Sequence, residues 1–136
     1  FVQNHLDQAA PRTLDDVVEA LKEIPEYQQA AKMGIGPPIL VGNGKNRAGR
    51  IAVIMTGGTG GPAEDIEALV NAGVGTIVEM HLSEEKRKLA EKHHLNVVIA
   101  GHMASDSLGM NLILDEFAKQ GVAIETFSGL IRVSRN

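Results

Sequence analysis

The sequence predicts an α/β fold with three layers, in which helices flank a mostly parallel sheet. Between residues 50 and 136, short apolar runs alternate with amphipathic stretches, which is the chain order of strands and helices in a parallel sheet. The run 51–55 is continuously apolar, as in a strand buried on both faces. With 43% apolar and 22% charged residues, the composition is that of a globular domain.

We expect residues 1–136 to form a single α/β unit, with a helical and connector region over 1–49 and a βαβ region over 50–136. Because the chain starts at Phe1 rather than at a methionine, we also expect it to be the C-terminal part of a longer, two-lobed chain. Thr13 precedes a 3.6-period apolar stripe, with Asp16 three residues later, which predicts a capped helix. Pro25 ends this helix or begins the next.

The runs 39–41, 51–55, 76–78 and 96–100 predict strands, and the last three should be adjacent, parallel and buried. Of the intervening helices, one should begin at Pro62 and the next should be capped by Ser83. Short strands are predicted near 122–126 and 130–133, the second as an apolar edge that needs cover. The last helix should end at Gly121 and has apolar residues at the spacing of one helix face: Met110, Ile113, Leu114 and Phe117.

Composition excludes several classes of function. The absence of cysteine excludes disulfides, iron–sulfur clusters, thiolate zinc sites and cysteine catalysis. A net charge of −4 and only 3% aromatic residues disfavour a nucleic-acid partner. The sequence has neither an apolar run long enough to span a bilayer nor a signal-peptide pattern. We therefore expect a cytoplasmic protein without a membrane or nucleic-acid partner.

Ligands of open parallel sheets gather beyond the carboxyl ends of the strands, where three loops qualify. The loop 56–62 is glycine-rich, and it fits either a tight strand-to-helix turn or a phosphate cradle, although it lacks a Walker A lysine. His102 fits either a metal ligand or a hydrogen-bonded turn histidine, and the pair His93 and His94 fits a helix C-terminus. The other two loops, 79–83 and 101–106, contain Glu79, His81, His102, Ser105 and Asp106. Their histidines and carboxylates together suit zinc, iron, manganese or nickel.

Three segments resemble one family. Residues 1–7, FVQNHLD, resemble a motif in which a strand delivers a metal-binding aspartate. RIAV at 50–53, followed by GGTG at 57–60, resembles the strand and glycine turn of the same family. IAGHMASD at 99–106 resembles its Gly-His-x-x-x-Glu metal motif, with Asp106 where glutamate is usual. The chain thus resembles the NGG-interacting-factor-like proteins, also called GTP cyclohydrolase I type 2 homologues, over nearly its whole length.

The resemblance implies a pair of divalent metal ions, expected to be zinc, iron or manganese. By motif it assigns Asp7, His102 and Asp106 as metal ligands, with Asp7 bridging the ions and with Ser105 and His81 as neighbours. The family's His-His-Pro motif is absent, so two further histidine ligands are expected upstream of the chain. The resemblance assigns no catalytic residue and no cofactor other than the metal ions.

The resemblance further implies a metal-dependent hydrolase that acts on a nucleotide or another phosphate-containing small molecule, and a ring-shaped homo-oligomer, for which a hexamer is expected. Whether the protein is an enzyme stays open. One alternative is a non-catalytic, metal-binding oligomeric scaffold or interaction protein. Another is a nucleotide-binding module that uses the glycine loop without metal.

Overall fold

The computed structural model describes residues 1–56 and 61–136. In this part of the chain the sheet has the strand order β1-β4-β3-β2, in which β2, β3 and β4 are parallel and β1 is antiparallel to β4. The elements are α1 (Val2–Ala9), α2 (Leu14–Lys22), α3 (Pro25–Lys32), β1 (Ile39–Val41), β2 (Arg50–Ile54), α4 (Asp65–Asn71), β3 (Val74–Glu79), α5 (Glu84–Lys92), β4 (Asn96–Ile99) and α6 (His102–Lys119).

Helices cover the sheet on both faces, which confirms the predicted α/β fold with three layers. Val78 and Val98 point into a core formed with α1, α2, α3 and α6, whereas Ile77 and Val97 point into a second core formed with α4 and α5. Alternate strand residues face opposite sides of a sheet, so each buried strand serves both cores. None of the helices in the described residues is long and apolar enough to cross a membrane.

Strand β2 is only half-buried, which corrects the prediction of a strand buried on both faces. It contacts both cores, but among the described strands it lies at the edge of the sheet and pairs with β3 alone. The Gln3 side chain occupies part of the open edge: its Oε1 accepts from the Val53 N–H at 2.9 Å, and its Nε2 donates to the Ile51 carbonyl at 3.3 Å. One amide side chain thus satisfies backbone groups that a neighbouring strand would otherwise pair.

Most of the predicted helix boundaries are confirmed. Thr13 and Asp16 form a capping box at the start of α2, and the Ser83 hydroxyl accepts from the Lys86 N–H at the start of α5. Pro25 is the first residue of α3. Helix α4, however, begins at Asp65 rather than at Pro62, because the preceding residues form a turn with (i, i+3) hydrogen bonds instead of the first helical turn.

The apolar stripe of α6 faces outward. Met110, Ile113 and Phe117 are 44%, 53% and 47% exposed, so the regular spacing marks a surface of the described structure and not its core. The opposite face is buried although it is largely polar, and it consists of Ala104, Ser107, Leu108, Asn111 and Asp115. This polar face holds the C-terminal segment.

Residues 122–136 contain neither of the two predicted strands. Side chains of α6 bind the backbone of this segment instead: the Ile131 N–H donates to Ser107 Oγ at 3.1 Å, and Asn111 Nδ2 donates to the Ile131 carbonyl at 2.8 Å. Further along, the Arg135 N–H donates to Asp115 Oδ2 at 3.0 Å. These side-chain partners replace the neighbouring strand that a ladder would need, and they bury Ile131.

Two arginine–carboxylate pairs complete this attachment. Arg132 Nη2 lies 2.6 Å from Asp115 Oδ1, and Arg135 Nη2 lies 2.6 Å from Oε2 of Glu26, a fully buried residue of α3. Burial alone would raise the pKa of Glu26, but hydrogen bonds from Arg135 and Asn111 hold it below its ordinary value. The C-terminal segment therefore joins α3 to α6 through charged contacts that sequence periodicity does not reveal.

Candidate metal site

The candidate site lies where three parallel strands end together. Ile54, Glu79 and Ile99 stand in register across β2, β3 and β4, so the loops that follow these strands leave the sheet at one edge. This is the edge at which ligands of open parallel sheets bind. Residues 57–60 of the predicted glycine loop lie outside the described residues, so neither of its two interpretations is addressed.

His102 and Asp106 lie together at this edge. His102 is the first residue of α6, and the chain turns into the helix at Gly101, whose φ of +92° favours glycine. His102 Nε2 lies 3.2 Å from Asp106 Oδ2, and the two side chains are 51% and 59% exposed. The (i, i+4) spacing puts them on one side of the first helical turns, where both can reach a ligand from solvent.

The structure brings His81 to the same place. Its ring stacks on that of His102, with centroids 5.3 Å apart and an interplanar angle of 16°. Neither ring nitrogen of His81 has a hydrogen-bond partner among the described residues. The sequence feature that predicts this contact is the position of the two histidines, each just beyond the end of a strand. The two strands, β3 and β4, end in register, so residues that follow them lie close together.

Ser105 supports the site without reaching into it. Its hydroxyl donates to the Gly101 carbonyl at 2.6 Å and lies 3.0 Å from the hydroxyl of Tyr27, which is fully buried. Burial raises the pKa of Tyr27, so this phenol stays protonated and can donate to Ser105. These contacts fix the first turn of α6, and with it the backbone that carries His102 and Asp106.

Glu79 is the last residue of β3, and its side chain lies on the opposite face of the sheet from α6. It is two residues after Ile77 in the same strand, so it faces the α4 and α5 layer. Burial raises the pKa of Glu79, and the nearby charge of Lys86 on α5 partly opposes the rise. Glu79 therefore does not join His102 and Asp106, which lie on the helix that packs against the opposite face.

Asp7 is the predicted ligand that the structure places apart. It belongs to α1, not to the strand that the resemblance implies for residues 1–7, and its carboxylate accepts from Gln3 Nε2 at 2.9 Å. It lines a cavity with Arg50 and Val74, at the amino ends of β2 and β3. The six residues of β3 span about 17 Å, so Asp7 and the carboxyl-edge histidines lie at opposite ends of the sheet.

The other three histidines, His5, His93 and His94, lie in positions that serve the fold. His93 caps the C-terminus of α5 and His94 follows it with a φ of +55°, as the helix-end interpretation predicts. His5 Nε2 lies 2.8 Å from the Ala20 carbonyl, which ties α1 to α2.

Two imidazoles and one carboxylate are donors that zinc, iron and manganese accept, so the residues present fit a divalent metal. No three histidine, aspartate or glutamate side chains in the described part of the chain already converge on one point as a metal-binding group. A metal site at this edge therefore requires side-chain rearrangement.

No family model and no curated protein matches the chain. The structure is similar to the crystal structure of a NIF3 superfamily protein from Sphaerobacter thermophilus, with a TM-score of 0.77 and 28% identity over 95% of this chain and 46% of that one. Reduced HcgD from Methanocaldococcus jannaschii gives a TM-score of 0.57 and 18% identity, over 84% of this chain and 41% of that one. A Bacillus cereus protein related to NIF3 gives a TM-score of 0.52 and 20% identity, over 85% of this chain and 32% of that one.

The last two similarities show a shared fold only, because their sequence identity is low. The first combines higher identity with nearly full coverage of this chain, which here spans slightly less than half of the Sphaerobacter protein. The similarity to the Sphaerobacter protein bears out the family resemblance that the motifs predict.

Proposed function

This chain shares its fold with NIF3 superfamily proteins, and on this premise we propose that it binds divalent metal and takes part in metal-dependent hydrolysis of a nucleotide or another phosphate-containing small molecule. The observation that supports the proposal best is the half-exposed pair of His102 and Asp106, 3.2 Å apart at the carboxyl edge of the parallel strands. We propose two ions per chain, as the resemblance implies.

A divalent metal at this site would lower the pKa of a bound water and neutralise charge on a phosphate oxygen. His102 and Asp106 would hold the metal, one through an imidazole nitrogen and the other through a carboxylate oxygen. The hydrogen bonds of Ser105 to Gly101 and Tyr27 keep the first turn of α6 in place, so that both ligands start from a fixed backbone. Their exposure leaves room for a substrate to approach from solvent.

Metal content tests the binding half of the proposal. We expect His102→Ala and Asp106→Ala to lose bound metal, measured by mass spectrometry on purified protein, because each removes one donor from an exposed site. His94→Ala is the matched control, since His94 is exposed and lies at the end of α5. If both site variants stay folded by circular dichroism and keep the full metal content, His102 is a turn histidine and the proposal is wrong.

Asp7→Ala decides the third predicted ligand. In the structure Asp7 lies at the far end of the sheet, so a role in metal binding needs residues 1–9 to move. Loss of metal in this variant would support the predicted ligand set. Full retention, alongside loss in His102→Ala, would restrict the set to the carboxyl edge.

A non-catalytic metal-binding scaffold is the second candidate, and the exposed apolar stripe of α6 favours it. Exposed apolar patches commonly mark contacts between proteins. Hydrolysis of GTP and of a simple phosphate ester separates the two candidates: metal-dependent turnover that His102→Ala abolishes supports the hydrolase. Metal binding without turnover of any phosphate substrate supports the scaffold.

We also propose that the protein is a homo-oligomer, with a hexamer as the expected state. The C-terminal edge strand predicted to promote association is absent, and the stripe around Ile113 and Phe117 is the better candidate surface. Sedimentation at micromolar concentration should show an oligomer that the double variant Ile113→Glu and Phe117→Glu dissociates. Glu116→Gln on the same helix should not change the oligomeric state, and a monomeric wild type would contradict the proposal.

A further inference from the structure

We propose that His81 is a further ligand to the metal that His102 and Asp106 bind, so that the site has two histidines and one carboxylate. This inference rests on the proposed function and adds to it a residue that the family motifs name only as a neighbour.

The stack places two imidazoles, which follow neighbouring strands in the chain, against each other. The centroids of His81 and His102 are 5.3 Å apart, and His102 Nε2 lies 3.2 Å from Asp106 Oδ2. Both histidines are exposed, so burial does not force the contact. His81 follows β3 and His102 begins α6 after β4, and the two rings meet because β3 and β4 end in register.

His81 is chemically available. Within the described residues neither of its nitrogens is used in a hydrogen bond, so a nitrogen can bind metal without breaking an existing contact. This differs from His5, whose Nε2 already contacts the Ala20 carbonyl. An available imidazole beside a histidine and a carboxylate is the donor set of sites that bind zinc or iron and leave positions open for water.

A shared metal requires the side chains of His81 and His102 to rotate. Two nitrogens that share a tetrahedral zinc lie about 3.4 Å apart, because each Zn–N bond is about 2.1 Å long. Ring nitrogens lie at the rim of an imidazole, so rotation of rings whose centroids are 5.3 Å apart can bring two of them to that separation. Asp7, by contrast, can join the site only if α1 leaves its position at the edge of the sheet.

Cobalt(II) titration tests the inference, because the absorption of cobalt reports its ligands directly. The metal-free protein is titrated with Co²⁺ alone, and the dissociation constant and visible spectrum are recorded for wild type, His81→Ala, His81→Phe and His102→Ala. We expect His81→Ala to weaken binding at least tenfold and to change the spectrum, because even supporting residues of a metal site contribute this much. His94→Ala should match the wild type.

His81→Phe separates a ligand from a packing residue. Phenylalanine keeps an aromatic ring on His102 but offers no nitrogen, so a ligand role predicts that this variant binds Co²⁺ as weakly as His81→Ala. If His81→Phe binds like the wild type, His81 only packs on His102 and the inference is wrong. It is also wrong if His81→Ala has wild-type affinity and spectrum while His102→Ala loses binding, a result that leaves the proposed function intact. Wild-type affinity in His102→Ala would contradict both.

Discussion

Replacing Glu26 by glutamine should destabilise the fold more than any comparable change of a surface carboxylate. Glu26 is fully buried on α3, and its carboxylate accepts from Arg135 Nη1 at 2.8 Å, Arg135 Nη2 at 2.6 Å and Asn111 Nδ2 at 2.8 Å. Glutamine has nearly the same shape, but it removes the negative charge and turns one acceptor into a donor. An NH₂ group in place of Oε2 would face Arg135 Nη2, and one in place of Oε1 would face both Arg135 Nη1 and Asn111 Nδ2. In either orientation at least one donor of Arg135 loses its acceptor.

The expected cost follows from burial. Removing one partner of a buried ion pair typically costs 3–5 kcal/mol, because the other charge stays desolvated without compensation. The Arg135 side chain is 23% exposed, so water can partly solvate it, and we expect a loss near the lower limit of this range, about 3 kcal/mol. With a urea m value of about 2 kcal/mol per M, this loss lowers the unfolding midpoint by about 1.5 M.

Urea unfolding followed by circular dichroism at pH 7 measures the effect. Glu116→Gln is the matched control, because Glu116 pairs with Lys119 on the exposed side of α6, and such surface pairs contribute little. Equal midpoint shifts in the two variants would refute the reasoning.

The pH dependence gives a second check on Glu26. Because its pKa is lower in the folded state than its ordinary value of 4.5, the pair adds stability that is fully present above pH 4.5 and is lost as the pH falls through the folded pKa. The difference between the wild type and Glu26→Gln should therefore shrink on acidification below pH 4.5. A difference that is constant with pH would show that packing, rather than charge, causes the loss.

Variants at three further positions test local features of the fold in the same unfolding assay. Thr13→Ala should cost about 1 kcal/mol, because it removes the hydroxyl that accepts from the Asp16 N–H in the capping box of α2; Thr13→Ser should restore most of this. Gly109→Ala should stabilise the protein by about 0.5–1 kcal/mol, since its new Cβ meets nothing within 4 Å in α6. Gly75→Ala should destabilise it, because its Cβ would lie 2.8 Å from the Ala48 carbonyl oxygen; equal effects of the two alanines would contradict this comparison.

Sequence reasoning recovered the fold because its signals are local. Continuous apolar runs define β3 and β4, and cap residues such as Thr13 and Ser83 define where helices begin. The half-burial of β2 could not be predicted in this way. Its apolar run is the same as that of a central strand, and only the strand order puts it at the edge.

The predictions for the buried face of α6 and for residues 122–136 were wrong, because the residues that pair there are distant in sequence. On pattern alone, the stripe of Met110, Ile113 and Phe117 is the core-facing side of α6, and Asn111 and Asp115 belong to solvent. The structure reverses this because Arg132 and Arg135 reach back to that polar face. A buried polar face is stable only when such partners satisfy it, and periodicity carries no information on partners twenty residues away.

The candidate site shows the same division between what is local and what depends on strand order. His102 and Asp106 are four residues apart on one helix, so their proximity followed from the sequence. The contact between His81 and His102 depends on β3 and β4 being adjacent and in register, which the predicted strand order already contained. Asp7 was assigned by motif and not by position, and it is the member of the set that the structure places at the opposite end of the sheet. Of the residues assigned to a site because of where strands end, the fold brings His81 to His102 and Asp106, whereas Glu79 faces the α4 and α5 layer. The cobalt titration decides whether His81 is a ligand there.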